Sequence, residues 1–152
     1  RIRPRWLAAA ATVRRRVRFL TAEQVVAMHE ALLEQFGGLA GGGPRGESYE
    51  GVEAAVQAVK NSYYETVEEL AAAYAVYLVQ GHVFLDGNKR AGAAAMLTFL
   101  EANGVSVKIP PEELASIMIE LQKRSEAGED ASRLISGIAS SLAKRRAKRK
   151  RP

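Results

Sequence analysis

Apolar residues recur along this chain at helical spacing, and turn signals cut the pattern into six segments. The first opens at Thr21, where Gln24 three residues on completes a capping box. Val25, Val26, Met28, Leu32, Leu33 and Phe36 then form one stripe. Gly37-Gly38 stops it. Residues 37–46 hold six glycines and Pro44 and read as a connector, because they lack the preceding strand and following Lys-Ser/Thr of a P-loop. A second helix is expected over Ser48 to Lys60, with Val52, Ala55, Val56 and Val59 inward. Thr66 and Glu69 make another capping box, for a helix through Leu70, Ala73, Tyr74, Tyr77 and Leu78 to about Gln80. The next helix begins near Asn88. Its small residues Ala91 to Ala95 permit close approach, so it is the expected central, all-round buried helix, stopped at Asn103-Gly104. Val105 to Ile109 is short and extended, Pro110-Pro111 opens a helix to about Ser125, and Asp130 caps a last one to about Ala143. With no strand alternation and no internal repeat, the pattern predicts a compact all-α bundle of about six helices.

Composition narrows this picture. A chain of 152 residues with 47% hydrophobic content is expected to form one globular domain, and no apolar run approaches the ~18 residues of a membrane span. The Ala-rich stretch from Trp6 to Val13 follows Arg1, Arg3 and Arg5, but Arg14-Arg15-Arg16 comes at once, so it is not read as a signal peptide. The absence of cysteine excludes disulfides, thiolate zinc sites and thiol nucleophiles, and agrees with a cytoplasmic setting. The net charge of +5 conceals a division. Residues 1–18 hold seven Arg and residues 144–151 seven Lys or Arg, neither with an acid; the body keeps eight cations against seventeen acids, a formal −9. The expected organisation is a flexible basic extension over 1–18, a folded domain over 19–143 and a basic tail over 144–152. An acidic body argues against a nucleic-acid-binding fold, so such contact is expected only through the basic ends, and no membrane partner is expected.

The chemistry gathers in His82-Val83-Phe84-Leu85-Asp86-Gly87-Asn88-Lys89-Arg90, between two helical segments. Gly81 and Gly87 argue against an unbroken helix across His82 and Asp86, so the pair is expected on a loop. An imidazole there suits a general base, and a lone carboxylate suits Mg²⁺, which takes few protein carboxylates beside phosphates. Gly87 and Asn88 open the following helix and can present backbone N–H groups to an anion, with Lys89 and Arg90 as charge-assisted donors. Val83 and Phe84 anchor the loop in the core. Taken alone, His82 and Asp86 also fit a hydrogen-bonded pair stiffening a helix junction; the attached Gly-Asn-Lys-Arg tips the reading towards phosphoryl transfer. His29, on the apolar stripe of its helix, reads as a satisfied core or groove-lining histidine. Tyr63 and Tyr64 fit substrate contact and loop anchoring about equally, and Lys123 and Arg124 need only complement a helix dipole.

The motif H-x-F-x-D-G-N-K-R resembles the signature of the Fic/Doc family, specifically its Doc (death-on-curing) branch. The similarity runs from about Phe19 to Val107, through Leu20-Thr21-x-Glu23, the His29 helix, Phe36-Gly37-Gly38, Tyr77-Leu78 and Phe99-Leu100-x-x-Asn103-Gly104. The resemblance implies a Fic-like helical fold that transfers part of a nucleoside triphosphate to a protein hydroxyl, with ATP (or another nucleoside triphosphate) and Mg²⁺ as cofactors. It makes His82 the base, Asp86 the Mg²⁺ ligand, Gly87 and Asn88 the anion cradle, Lys89 and Arg90 the phosphate clamp, and 60–65 the flap that aligns the target. In the AMP-transferring branch the motif continues G-N-G-R-x-x-R. Here Lys89 replaces that glycine and Ala93 the second Arg, while Ala91 stands where Doc members commonly carry Thr. A long cation in the α-phosphate cradle favours γ-phosphate transfer, so the resemblance implies a protein Ser/Thr kinase, with a nucleotidyl-transferase (AMPylation) as one alternative. A catalytically silent module acting through its basic tails is the other. No inhibitory Ser/Thr-x-x-x-Glu-Gly/Asn segment occurs in the chain. Restraint is therefore expected in trans, from a small antitoxin whose helix covers the active-site groove. Elongation factor Tu is the kind of target implied, and inhibition of translation the outcome.

Overall fold

The computed structural model describes residues 16–41 and 48–147. Residues 1–15 of the extension expected over 1–18, residues 42–46 of the connector expected over 37–46, and residues 148–152 of the tail expected over 144–152 lie outside the described residues. The described chain forms six helices and no named strand: α1 Ala22–Phe36, α2 Ser48–Lys60, α3 Val67–Gln80, α4 Asn88–Ala102, α5 Pro111–Glu126 and α6 Ala131–Lys144. The all-α expectation holds, with boundaries within two residues of those read from the pattern.

Local chemistry explains where the helices start. Thr21 accepts from the N–H of Gln24, and the Gln24 side chain accepts from the N–H of Thr21; Thr66 and Glu69 repeat the arrangement. Each such cap contributes about 1 kcal/mol. Pro111 occupies the first turn of α5, where a missing N–H costs nothing, and Asp130 caps α6. Glu112 and Glu113 open α5 while Lys123 and Arg124 close it, each sign matching its dipole end. Arg124 also forks onto Glu129 (Nε to Oε2 2.6 Å), a tie beyond dipole complementation.

Burial relocates the centre of the bundle. In α3 every residue from Leu70 to Val76 is buried, with Leu78 and Val79, and it packs against α2, α4, α5 and α6. α4 runs beside it but buries one face only: Ala91, Gly92, Ala95, Met96, Phe99 and Leu100. The helix buried all round is thus the one before the motif loop. Small side chains made α4 the candidate, yet Ala71, Ala72, Ala73 and Ala75 give α3 the same narrow profile, and α3 has neighbours on more sides. At the other end of α4, Asn103 bonds both backbone groups of Arg18, from Arg18 N–H to Oδ1 at 2.7 Å and from Nδ2 to the Arg18 carbonyl at 3.1 Å. Val107 and Arg146 form an antiparallel bridge, and Arg145 and Arg146 pair with Glu113 and Glu68. Backbone bonds to the bundle therefore continue through Ala147.

Candidate active site

The motif loop joins the end of α3 to the start of α4, so the two most intimately packed helices hold its ends. Gly81 ends α3, and His82 follows at φ +44, the one non-glycine residue with positive φ among those described. Such a conformation costs an L-residue roughly 1–2 kcal/mol and turns its side chain away from the helix path. Val83 and Phe84 then bury their side chains, as expected of the loop's anchors, and Leu85 returns to the surface.

His82, Leu85, Asp86, Gly87, Asn88 and Lys89 line one cavity of about 220 Å³, closed by Val79 and by Gln122 of α5. Five of the six predicted site residues therefore meet at one place. Arg90 does not line that cavity. Its guanidinium carbon lies 4.6 Å from the centroid of the Phe36 ring, in an adjoining groove of about 590 Å³ formed with Lys89, Ala93, Leu114 and Ile119 among others. Phe36, the last residue of the α1 stripe, is consequently 54% exposed rather than core.

The Asp86 carboxylate is held by backbone donors. Oδ1 accepts from the N–H of Gly87 at 2.8 Å, and Oδ2 from the N–H of Leu39 at 3.3 Å. A Cβ on Gly38 would lie 2.8 Å from Oδ2, so only glycine lets the 37–41 segment approach this closely. That segment is tied down a second time, by Leu85 N–H to the Gly41 carbonyl at 2.9 Å. Among the described residues no three His, Cys, Asp or Glu side chains converge to hold a metal unaided. A single carboxylate with lone pairs to spare fits a hard cation that takes its other ligands from water and phosphate.

Gly87 caps α4 in the left-handed region (φ +82), and no side chain caps that end. The first turn holds Lys89 and Arg90 and no acid. Two cations on the positive end of a helix dipole oppose stability, by some 0.3–1 kcal/mol each, unless an anion binds there. The Asn88 side chain is used structurally, bonding the backbone of Phe84, so any part it takes in an anion cradle falls to its N–H.

Outside the motif, Tyr63 is 99% exposed while Tyr64 packs against the core. Two features at the site were not foreseen. Gln122 carries no recognisable signal, since only the packing of α5 brings it to the cavity. His29 is buried as expected of a core histidine, but its ring stacks on Phe84 (3.6 Å between centroids, 7°) and its Nε2 lies 2.7 Å from the Asp86 carbonyl. A polar residue within an apolar stripe was the visible signal; its partner 57 positions away was not.

Comparison with known proteins agrees with this geometry. The chain is 37% identical over 98 residues to the protein "Protein kinase doc" of Escherichia phage P1, an alignment covering 63% of this chain and 76% of that protein. The family described as "Fic/DOC family" matches residues 19–100, from the entry to α1 through the motif loop and most of α4. With more than half its length matched, and the motif at the junction the matched helices build, this chain belongs to the Fic/Doc family.

Proposed function

We propose that this protein is a Doc-type toxin: a protein Ser/Thr kinase that transfers the γ-phosphate of ATP, with Mg²⁺, to a hydroxyl of a target protein in the cytoplasm. The observation that carries this reading is the uncapped start of α4, with Lys89 beside His82 and Asp86 in one cavity and Arg90 in the adjoining groove. The relative's name, a protein kinase, supports the same reaction. His82 takes the proton from the substrate hydroxyl as its oxygen bonds to the γ-phosphorus. The bond to the β–γ bridging oxygen breaks, and ADP leaves. Asp86 would hold the Mg²⁺, which supplies neutralisation of phosphate charge when bound. Gly87 and Asn88 offer N–H groups to the phosphates, and Lys89 gives a point charge inside the cavity. Arg90 serves the clamp from the neighbouring groove, after leaving Phe36. Tyr63 on the 60–65 flap is free to meet the target chain.

The groove shared by Lys89 and Arg90 supports a partner in trans: an antitoxin helix laying apolar residues on Phe36, Leu114 and Ile119. Elongation factor Tu is the first target to assay, with arrest of translation as the consequence. The deciding experiment incubates the protein with Mg²⁺, a bacterial lysate and ATP labelled at the α- or the γ-phosphate, beside His82→Ala. Label from the γ-position alone, lost in the variant and on chelation of Mg²⁺, is the expected result. Label from the α-position would make the protein a nucleotidyl-transferase. No label from either would leave a binding module.

A further inference from the structure

We infer that His29 is a positioning residue: its imidazole sets the orientation of the Asp86–Gly87 peptide, and through it the Asp86 carboxylate. His29 is the one buried polar or charged residue among those described (4% exposed), on α1 and outside the motif. Its Nε2 lies 2.7 Å from the Asp86 carbonyl oxygen. A carbonyl only accepts, so Nε2 carries the proton and donates. The peptide bonds are trans, which points C=O and N–H in opposite directions across one plane. Drawing the Asp86 carbonyl towards α1 therefore presents the Gly87 N–H on the other side, where Asp86 Oδ1 receives it at 2.8 Å. One imidazole thus orders a chain of three groups: carbonyl, amide and carboxylate.

Two observations separate this from simple packing. The ring lies flat on Phe84, so a phenyl group would fill the same space and keep the stack, yet the position holds a donor. The fit also extends to Gly87, where an added Cβ would lie 3.3 Å from Nε2. The backbone turn that opens α4 is therefore built against the imidazole edge. Rotation of this one peptide would remove the Gly87 N–H from Oδ1 and turn a carbonyl oxygen towards a site that handles anions.

The inference rests on the reading of Asp86 as the Mg²⁺ ligand, and its test includes a readout that does not need catalysis. Full-length wild type, His29→Phe and His29→Gln are compared by thermal unfolding, by the NMR resonance and hydrogen exchange of the Gly87 amide, and by γ-phosphate transfer as a function of Mg²⁺. His29→Phe is expected to fold, to shift the Gly87 amide and to speed its exchange at least tenfold. The Mg²⁺ concentration for half-maximal transfer should rise about tenfold. His29→Gln, which restores a donor, should recover both in part, and it carries the test if His29→Phe does not fold. A folded His29→Phe protein with an unchanged Gly87 amide and unchanged Mg²⁺ dependence overturns the inference. If wild type transfers no phosphate, the kinase reading falls, and the amide comparison alone decides the role of His29.

Discussion

The side chain of Asn88 bonds both backbone groups of Phe84: Oδ1 accepts from its N–H at 3.0 Å, and Nδ2 donates to its carbonyl at 2.9 Å. This closes the motif loop into a ring anchored at the buried Phe84 and at the start of α4. Between the two anchors only Leu85, Asp86 and Gly87 remain, so the carboxylate inherits its position from an amide side chain. Asn88→Ala leaves two partly buried backbone groups without partners, each costing about 1–3 kcal/mol if water does not replace the bond. Denaturant unfolding should show a loss of about 2 kcal/mol, and the transfer rate should fall by at least tenfold. A variant with wild-type stability would show that the ring does not hold the loop.

If His82 is the proposed base, its substitution should separate function from stability. Its φ of +44 belongs to a region that Asn tolerates better than most residues. His82→Asn should abolish transfer, by about 10²–10⁴-fold for loss of a general base, while leaving the unfolding midpoint equal or slightly raised. Parallel calorimetry and γ-label assays measure the two effects.

The groove beside the site offers a separate handle. Ile119 is 45% exposed on its wall. Ile119→Glu places a charge where the apolar face of the proposed antitoxin helix would sit, so affinity for that proposed partner, measured by calorimetry, should weaken at least tenfold. Because the side chain is already half in water, folding stability should change by no more than about 0.5 kcal/mol.

Tyr74 sets an alkaline limit. Its hydroxyl accepts from the N–H of Leu20 at 2.9 Å inside the core, and burial pushes its pKa up to about 12, against a small lowering by that bond. Below pH 10 the phenol is neutral both folded and unfolded. Between pH 10 and about 12 only the unfolded chain releases the proton, so stability falls as pH rises, by roughly 3 kcal/mol at most for two pKa units. Tyr74→Phe should be about 1–3 kcal/mol less stable at neutral pH, from the unpaired Leu20 N–H. It should also show a shallower alkaline decline in urea unfolding.

Much of this architecture is legible in the chain because it depends on neighbours in sequence. Both capping boxes, the Asp130 cap, the Pro111 start and the six helical stripes are interactions over four residues or fewer, and each falls where the pattern places it. The motif is legible for the same reason: His82, Asp86, Gly87, Asn88 and Lys89 are contiguous enough that one loop must carry them together. Long-range relations were not. That α3 rather than α4 is enclosed depends on how many helices surround each, and both are rich in alanine. Phe36 shares the periodicity of a core residue, yet it lines a groove because no element among the described residues covers the end of α1.

By itself, then, the sequence determined the helices, their caps and the grouping of an imidazole, a carboxylate and two cations at one helix start, since local spacing and covalent order suffice for these. Tertiary structure alone decided which groups complete the site. Packing brings Gln122 of α5 to the cavity, the Leu39 N–H to Asp86 and the imidazole of His29 to the Asp86 carbonyl, across 57 residues in the last case. It also turns Arg90 out onto Phe36, away from the cavity that its neighbour Lys89 lines. The reason is that a helix stripe specifies only that a face is buried. Which atoms meet across the interface is settled when several such faces close on one another.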